Sequence, residues 1–336
     1  MINKDNLGVS LYRQIVEGLI SSIQEGQLAT GDPIPSLNAL KDRHQVSRDT
    51  VLMAYNELKT RGIIDSKPGK GYYIRSTNIE VQKKVFLLLD ENSAYKSTLY
   101  KSFLGHCEGE AQVEVFFHHQ NPVLFKTLLQ TYAGRFSHYV IIPVPEKDCL
   151  EMLEELTKKG KVFILDYGFN GEQLRFNSVY QEFEQDIYEL LLANQSSFKA
   201  YEETIMVIGK PSGSTQNAHA PRIINGYRKF ANKTGSKVRI ERSLPDEIRK
   251  GCCYILHSDP DLVELVRTVQ REGLEPGKDI GIISFNETPL KSVVDKGIST
   301  ISTDHPEMGK LMAAMVSGEL KGHIRNKFRM IRRKSF

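Results

Sequence analysis

The sequence predicts an α/β protein with a small helical unit and a β-hairpin at its N-terminus, followed by a larger region of alternating strands and helices. Two observations support this fold class. Residues 36–61, SLNALKDRHQVSRDTVLMAYNELKTR, contain two stretches of helical spacing around a turn, and KPGKGYYI at 67–74 follows as a glycine-bearing hairpin. From residue 85 onward, short apolar runs alternate with stretches of helical periodicity, which indicates parallel sheets covered by helices.

The first predicted helix covers about residues 10–25. Six apolar side chains between Leu11 and Ile23 recur there at helical spacing. Ser10 is suited to cap the start of this helix and Gly26 to end it. The segment that follows, QLATGDPIPS, is interrupted by glycine and proline and predicts a connection rather than a further helix.

Two more helices are predicted at about 36–43 and 47–60. Ser36 and Ser47 precede them in the positions of N-cap residues, whose hydroxyl groups accept hydrogen bonds from the first backbone amides of a helix. The second of these helices has an inward face, formed by Val51, Ala54, Tyr55 and Leu58. Its first turn is left polar and exposed.

A helix-turn-helix unit contacts base edges with the first turn of its last helix. Arg48 is therefore the strongest candidate for a base or phosphate contact, and Lys70, at the tip of the hairpin, is suited to meet phosphate or a minor groove. Taken singly, each such residue is more often a solvated surface residue, and only their order and spacing favour DNA binding. The predicted DNA-binding residues are Ser36, Asn38, Ser47, Arg48, Asp49, Thr50, Gly69, Lys70 and Gly71.

Residues 10–75 resemble the winged helix-turn-helix domain of the GntR family of bacterial transcription regulators. The resemblance is carried by LYxQI, the G-Q-L…G-D-x-I-P-S connection, SRxTV, L-x-x-x-G-I-I and P-G-x-G-Y. It implies sequence-specific binding to double-stranded operator DNA. Many family members have arginines near Asn38 and Leu52, where this chain is neutral, so its operator is expected to differ from the common pattern.

Three parts are predicted: a DNA-binding domain at 1–75, a polar linker (STNIEVQKK) at 76–84 and a large domain at 85–336. The predicted strands of the large domain are Val85–Leu89, Val113–His118, Tyr139–Val144, Val162–Asp166, Thr204–Ile208, Lys237–Ile240, Cys253–His257 and Ile280–Phe285. Its predicted helices include Leu124–Gly134, Cys149–Lys159, Gln181–Asn194, Arg222–Thr234 and Asp261–Gly273.

The large domain resembles the effector domains of the lactose-repressor type, which are similar to periplasmic sugar-binding proteins. GLEPGKDIGIISFN at 273–286 is the strongest segment, and FILDYG, IMVIG, PRIINGYRKFANKTG and ISTISTDHPEMGKLMAAMV occur in the expected order. The combination with a GntR-type head is an arabinose-repressor-like architecture. It implies two α/β lobes joined by three crossovers, a cleft for a small sugar-like effector, and homodimerisation through this domain.

The resemblance also implies effector-binding residues. Asp166 matches a carboxylate that follows a strand, Asn286 matches a family aspartate, Arg222 lies near the family's effector-binding arginine, and Ser258 replaces a common asparagine. Sugar hydroxyls need such paired donors and acceptors. A helix or loop cap is the alternative role for Asp166, and a plain turn residue is the alternative for Asn286.

Further side chains are predicted to lie at the cleft. Asp90 and Tyr95 follow the first strand of the large domain and are placed to line its near wall. Tyr167 and Phe169 have two possible roles, stacking on a sugar or packing between the lobes.

Charge is unevenly distributed. Residues 1–76 carry ten Lys/Arg and eight Asp/Glu (+2), residues 77–320 carry 28 and 33 (−5), and residues 321–336 carry seven and none (+7). The acidic middle argues against a broad nucleic-acid-binding surface there. The even spacing of apolar residues in IRNKFRMIRRKSF favours a final strand with a solvated basic face over a free basic arm.

The sequence contains no pattern for catalysis, a metal site or a cofactor. No GxxxxGK[ST] phosphate loop occurs, and His118 and His119 are adjacent rather than four residues apart. The absence of CxxC spacing among the four cysteines predicts thiols, and Cys252 and Cys253 are expected in a core strand. No stretch of 18 apolar residues and no leader pattern is present, so a cytoplasmic protein is expected.

The leading hypothesis is therefore a sugar-responsive transcription regulator, a repressor, and not an enzyme. Two alternatives are retained. The large domain could be a ligand-free dimerisation scaffold. Less favoured is a GntR regulator with an aminotransferase-like domain that binds pyridoxal phosphate, because such a domain is longer than the residues available.

Overall fold

A computed structural model of the chain describes residues 11–77, 83–144, 148–166, 175–209 and 219–336. These residues form one three-stranded sheet near the N-terminus and two six-stranded sheets. No helix within these ranges is both long enough and apolar enough to cross a membrane.

The N-terminal unit, called the head below, contains three helices. They are α1 (Leu11–Gln24), α2 (Leu37–His44) and α3 (Arg48–Thr60). The Ser36 hydroxyl accepts a hydrogen bond from the Ala39 amide at 3.2 Å, and the Ser47 hydroxyl accepts one from the Thr50 amide at 3.0 Å. Both predicted N-caps are confirmed, and they fix where the two helices of the helix-turn-helix begin.

A small antiparallel sheet forms the wing of the head. Its strands are β1 (Pro33–Ile34), β2 (Ile64–Lys67) and β3 (Gly71–Ile74), in the order β1-β3-β2. Gly69 and Gly71 have φ values of 75° and 82°, a left-handed backbone that glycine adopts without steric cost. Tyr55 joins the wing to α3, because its hydroxyl donates to the Pro35 carbonyl at 2.7 Å and its ring meets Tyr72 edge-on at 4.8 Å.

The first lobe of the large domain is a parallel sheet covered on both faces. Its strands are β4 (Lys83–Leu89), β5 (Ala111–Phe117), β6 (His138–Ile141), β7 (Lys161–Asp166), β8 (Asn177–Tyr180) and β14 (His323–Arg325). Its helices are α4 (Ala94–Cys107), α5 (Pro122–Tyr132), α6 (Cys149–Thr157) and α11 (His305–Ser317). The strand order is β14-β8-β7-β6-β4-β5.

The continuous apolar run of β4 is explained by this double cover. Val85, Leu87 and Leu89 pack in the cluster that includes α4 and α11. Phe86 and Leu88 point to the opposite face, in the cluster that includes α5 and α6. A parallel strand buried on both sides has no reason to alternate apolar with polar residues.

The second lobe repeats the architecture. Its strands are β9 (Glu203–Val207), β10 (Val238–Glu241), β11 (Cys252–Leu256), β12 (Gly281–Phe285), β13 (Ser299–Thr303) and β15 (Phe328–Ile331). Its helices are α7 (Phe183–Ala193), α8 (Gln195–Phe198), α9 (Ala220–Thr234) and α10 (Asp259–Arg271). The order is β10-β9-β11-β12-β13-β15, and only the β13–β15 pair is antiparallel.

The cysteines are buried thiols, as the sequence predicted. Cys252 and Cys253 are neighbours on β11, so their side chains point to opposite faces of the sheet. Cys253 lies in the core cluster of α7 and α9, whereas Cys252 lies in the core cluster of α10. The pair cannot bind one metal ion together, and among the described residues no group of three or more His, Cys, Asp or Glu side chains could hold one.

Three chain crossovers join the lobes, from β8 to α7, from β13 to α11 and from β14 to β15. They are hydrogen-bonded to one another. The Asn326 amide donates to the Tyr180 carbonyl at 2.8 Å, and its side-chain nitrogen donates to the Asp304 carbonyl at 3.0 Å. The Thr303 hydroxyl donates to the Gln181 side chain, which completes the connection. The predicted two-lobed fold with three crossovers is confirmed.

The structure corrects the sequence analysis at the linker and at the C-terminus. Lys83 and Lys84, assigned to the linker 76–84, are the first residues of β4; residues 78–82 of that linker lie outside the described ranges. The predicted final strand exists as β15, but its basic side chains are not simply solvated. Arg329 pairs with Asp304, and Arg333 pairs with Glu287 at 2.7 Å.

Gly309 of α11 permits close packing against α4, and this contact generates a prediction. A Cβ at Gly309 would overlap the Leu99 carbonyl and lie 2.9 Å from the Phe103 amide nitrogen. We expect Gly309→Ala to lower the free energy of unfolding by about 1–3 kcal/mol, because the helices would have to separate. Urea-induced unfolding followed by circular dichroism measures the change.

Gly105→Ala is the matched control, because it adds the same methyl group to α4 where no atom lies within 4 Å. It is expected to leave stability unchanged or raise it by up to about 1 kcal/mol through helix propensity. Equal effects of the two substitutions would show that the α4–α11 contact does not set the stability of this lobe.

Candidate ligand cleft and DNA-binding surface

A cleft between the lobes lies at the carboxyl ends of the parallel strands. Asp90 follows β4, Asp166 ends β7, His257 follows β11 and Asn286 follows β12. Asp166 and Asn286 have φ values of 69° and 62°. A left-handed backbone is uncommon in residues other than glycine and is frequent at binding sites, where surrounding structure holds it in place. Each lobe thus presents one such polar residue to the same space.

The cavity lined by the described residues has a volume of about 70 Å³ and is partly open to the surface. Its lining residues come from both lobes and from the crossovers: Asp90, Tyr95, Lys96, Asp166, Gln181, Phe183, His219, Ile223, His257, Phe285, Asn286, Thr303, His305 and Phe328.

Three charged side chains form an ion cluster on the first-lobe wall. The buried ammonium group of Lys96 pairs with Asp166 and lies 3.2 Å from Asp90 Oδ1. Burial lowers the pKa of Lys96, but the Asp166 and Asp90 carboxylates outweigh that effect and hold the pKa above its usual value. The ammonium group is therefore charged, and the cluster carries a net charge of −1.

Two carboxylate oxygens in this cluster remain available as acceptors. Asp166 Oδ1 and Asp90 Oδ1 are buried and accept no hydrogen bond from the described residues. The distance between Asp90 Oδ1 and Lys96 Nζ makes an ion pair, but the angle is not that of a hydrogen bond. Gln120 donates to the other Asp90 oxygen at 3.3 Å. Buried acceptors without donors are costly, so a ligand that supplies hydroxyl donors would be stabilised here.

Three imidazoles and their aromatic partners complete the cavity wall. The His219 ring stacks on Phe183 with centroids 4.0 Å apart, and the His257 ring lies 4.9 Å from that of Phe285. His305 lies 5.1 Å from the ring of Tyr95.

Burial lowers the pKa values of these three histidines. The pKa falls to about 4 for His219 and His257, and to about 3 for His305. Asp166 opposes the shift at His219, and the Lys96 charge adds to it at His305. At neutral pH the imidazoles are uncharged, so each ring has one nitrogen that donates and one that accepts a hydrogen bond.

The structure brings four of the predicted effector-binding residues to this cavity: Asp90, Tyr95, Asp166 and Asn286. Ser258 instead caps α10, because its hydroxyl accepts from the Asp261 amide at 3.2 Å and donates to the Asp261 side chain. Arg222 lies in the first turn of α9 and is not among the described lining residues, although its charge acts on His219.

Other lining residues were not predicted. His257 directly follows β11, and His305 opens α11 two residues after β13, so their position after apolar or β-branched runs was an available signal. Lys96 carried no such signal, because its place in the cavity depends on how α4 packs over the strand ends. Tyr167 and Phe169 lie outside the described residues.

The predicted DNA-binding residues lie on one end of the helix-turn-helix and on the wing. Arg48 and Asp49 open α3 and are exposed, as is Lys70 at the wing tip. The Ser47 and Thr50 hydroxyls are 2.7 Å apart, within hydrogen-bonding distance of each other. Leu52, expected on the DNA-facing side, is partly buried against the core of the head.

The rear of the head contacts the first lobe. The Thr60 hydroxyl donates to the Gly134 carbonyl at 3.2 Å. Lys161, the first residue of β7, places its ammonium group 5.9 Å from the centre of the Tyr12 ring. Tyr12 in turn donates to Glu57, which pairs with Arg61 at 3.4 Å. This contact lies at the amino-terminal end of β7, whereas the cleft lies at the carboxyl end of the same strand.

Two family comparisons match separate parts of the chain. Residues 11–74 match the bacterial regulatory proteins of the gntR family, and residues 202–335 match the periplasmic binding protein-like domain. The chain joins a GntR-type head to a periplasmic-binding-protein-like domain. The second match falls on one half of the two-lobed domain, and the topology given above extends the same architecture to the first lobe.

Relatives of the GntR-type head are transcription regulators. The mannosyl-D-glycerate transport/metabolism system repressor MngR of Escherichia coli K12 is 36% identical over 69 residues, which is 20% of this chain and 29% of MngR. The Bacillus subtilis regulator LutR is 40% identical over 53 residues, 16% of this chain and 24% of LutR. The chain thus spans less than a third of the length of either relative.

Solved structures match the periplasmic-binding-protein-like domain. The trehalose repressor of Escherichia coli has a TM-score of 0.59 at 15% identity, covering 74% of this chain and 100% of that one. A LacI-type regulator of Alkaliphilus metalliredigens, complexed with D-xylulofuranose, has a TM-score of 0.56 at 11% identity, covering 76% and 99%. At these identities the likeness shows the fold.

The depressed histidine pKa values generate a pH prediction. An unfolded histidine has a pKa of about 6.5, so the unfolded state takes up protons between pH 6.5 and about 4 that the folded cavity excludes. Stability from these groups is complete above pH 6.5 and is lost as the pH falls. Between pH 7 and pH 5, we expect the depressed pKa of each of His219, His257 and His305 to lower the free energy of unfolding by about 2 kcal/mol. Urea unfolding at both values measures the loss.

His305→Gln removes one of the three groups and should make this loss smaller. His106→Gln, at an exposed position of α4, is the control for the substitution itself. An unchanged pH dependence in His305→Gln would contradict the assignment of the loss to this ring.

Proposed function

We propose that the protein is a sequence-specific DNA-binding transcription regulator, a repressor, whose operator binding is controlled by a small sugar-like effector held between the two lobes. The observation that carries the proposal is the cleft. Polar strand ends of both lobes converge on one cavity, with carboxylate oxygens that accept no hydrogen bond from the described residues, neutral imidazoles and flat aromatic rings. These are the groups that pair with hydroxyls and cover the C–H faces of a sugar.

The head supports the DNA-binding half of the proposal. Its exposed first turn of α3 combines the Arg48 guanidinium with a helix N-terminus, where backbone amides attract phosphate. Residues 1–76 carry a net charge of only +2. One head alone is therefore expected to bind weakly, and two heads linked in a dimer supply the affinity through effective concentration.

Arg48→Ala is expected to weaken operator binding at least tenfold, because one charge-assisted contact is lost. If Arg48 contacts phosphate, the slope of log affinity against log salt also falls by about 0.9 per contact. Fluorescence anisotropy with labelled operator fragments measures both quantities. Lys126→Ala, an exposed cation on α5 of the first lobe, is the control and should bind like the wild type.

Effector binding is tested with a panel of uncharged monosaccharides. A true effector should raise the melting temperature of the periplasmic-binding-protein-like domain, since it binds only the folded state. It should also change operator affinity, and only by the difference between its affinities for the two states of the protein. Asn286→Ala should abolish both responses, whereas Gly105→Ala should retain them. A protein that binds its operator but responds to no sugar would contradict the effector half of the proposal.

The two alternatives make different predictions. A ligand-free dimerisation scaffold would show no stabilisation by any sugar. A pyridoxal-phosphate domain needs a lysine available for a Schiff base, but Lys96 is paired with two carboxylates and Lys291 donates to the Phe285 carbonyl at 2.7 Å. Absorbance of the purified protein at the violet edge of the visible range separates this alternative from the others.

Exposed apolar side chains on the second lobe support homodimerisation. Leu290 and Val293 are 73% and 72% exposed, and Val263 of α10 is 47% exposed. The ion pair of Lys291 with Asp259, at 2.8 Å, ties the segment of Leu290 to the start of α10. One of the structural neighbours is described as a dimeric Lac repressor.

We expect the double substitution Leu290→Asp/Val293→Asp to separate the dimer, because two buried carboxylates would replace apolar contacts at the interface. Sedimentation velocity should then show a species of 38.1 kDa instead of twice that mass. Ala200→Asp, exposed elsewhere on the same lobe, should leave the dimer intact. A double variant that still sediments as a dimer would place the interface elsewhere.

A further inference from the structure

Lys96 occupies an unusual place for a lysine. It lies in the first turn of α4, just after the N-cap Ser93, where the helix dipole disfavours a positive charge. Its side chain is 5% exposed and ends inside the cavity, not at the surface. Helix stability therefore does not account for a lysine at this position.

The ammonium group bridges the ends of two strands. It lies 3.2 Å from Asp90, which follows β4, and forms a close pair with Asp166 at the end of β7. Buried ion pairs contribute little net stability compared with apolar packing, because both charges lose their water. The cluster is better explained by the cavity that it borders.

The charges of the cluster restrict what the cavity accepts. Two carboxylates and one ammonium group give −1, and burial keeps His219, His257 and His305 uncharged at neutral pH. An anionic ligand placed against the cluster meets net repulsion from it, while the charges of Arg222, Lys291 and Arg329 act at the histidines. The Lys96 ammonium group already occupies the position between the two carboxylates that a cationic ligand would need. An uncharged polyhydroxy compound finds acceptors without donors, such as Asp166 Oδ1.

We propose that Lys96 is a specificity-determining residue of the effector cleft, a built-in cation that fills the ammonium position between Asp90 and Asp166 and thereby restricts the cleft to uncharged polyhydroxy ligands. This inference rests on the proposed function of the cleft. It implies that removal of the Lys96 side chain turns the same position into a binding site for an amine.

The test replaces the deleted atoms with a small molecule. Lys96→Ala removes three carbons and an ammonium group, which n-propylammonium reproduces; 1-propanol has the same shape without the charge. We expect n-propylammonium chloride to raise the melting temperature of Lys96→Ala by about 2–4 °C at several times its Kd, relative to sodium chloride at equal ionic strength. The wild type and Lys101→Ala, an exposed lysine on the same helix, should not respond.

Each other outcome decides against the inference. Equal stabilisation by 1-propanol would show that only a void is being filled. An equal response of the wild type would place the amine at another site. No response of folded Lys96→Ala would show that the two carboxylates do not form an ammonium site.

A second variant tests the inference if Lys96→Ala does not fold. Lys96→Ala/Asp166→Asn restores the net charge of −1 and keeps Asp90 to receive the ammonium group. n-Propylammonium should again raise the melting temperature more than 1-propanol does. Equal shifts in melting temperature would overturn the inference. The experiment uses neither sugar nor DNA. Failure of the proposed function would appear separately, as a wild-type protein that responds to no sugar.

Discussion

The cleft depends on the mutual hydrogen bonding of the three crossovers. Each crossover carries the chain from a strand of one lobe into an element of the other, and Asn326 links its neighbours through both its backbone and its side chain. Asn326 is itself buried. All three segments pass through one small region between the lobes. The carboxyl ends of both sheets consequently face one another across a single cavity.

The two lobes contribute different kinds of polar group to that cavity. The first lobe supplies charge as an ion cluster, while the second supplies an amide and a neutral imidazole from its strand ends. Lys291 supports this second wall, since its buried ammonium group donates to the carbonyls of Phe285 and Asn286 at 2.7 and 2.9 Å. These bonds hold Asn286 in its left-handed conformation.

The sequence predicted much of this fold, and its failures have physical causes. The head and the apolar strands were predictable because capping residues, glycines and buried runs act locally. The segment STIST was not predicted as the strand β13, because Ser299, Thr300 and their neighbours are polar although fully buried. Their hydroxyls are satisfied by distant partners such as Glu287. Likewise, Asp90, Asp166 and Asn286 were predicted at strand ends, whereas Lys96 enters the site only through the packing of α4.

The strand β7 has a mechanical consequence. Its first residue, Lys161, lies under the Tyr12 ring of the head, and its last, Asp166, belongs to the ion cluster of the cleft. At about 3.3 Å per residue, the two ends are roughly 17 Å apart. A strand hydrogen-bonded on both sides behaves as a stiff strut. β7 therefore connects the head contact to the ion cluster of the cleft by a path separate from the linker.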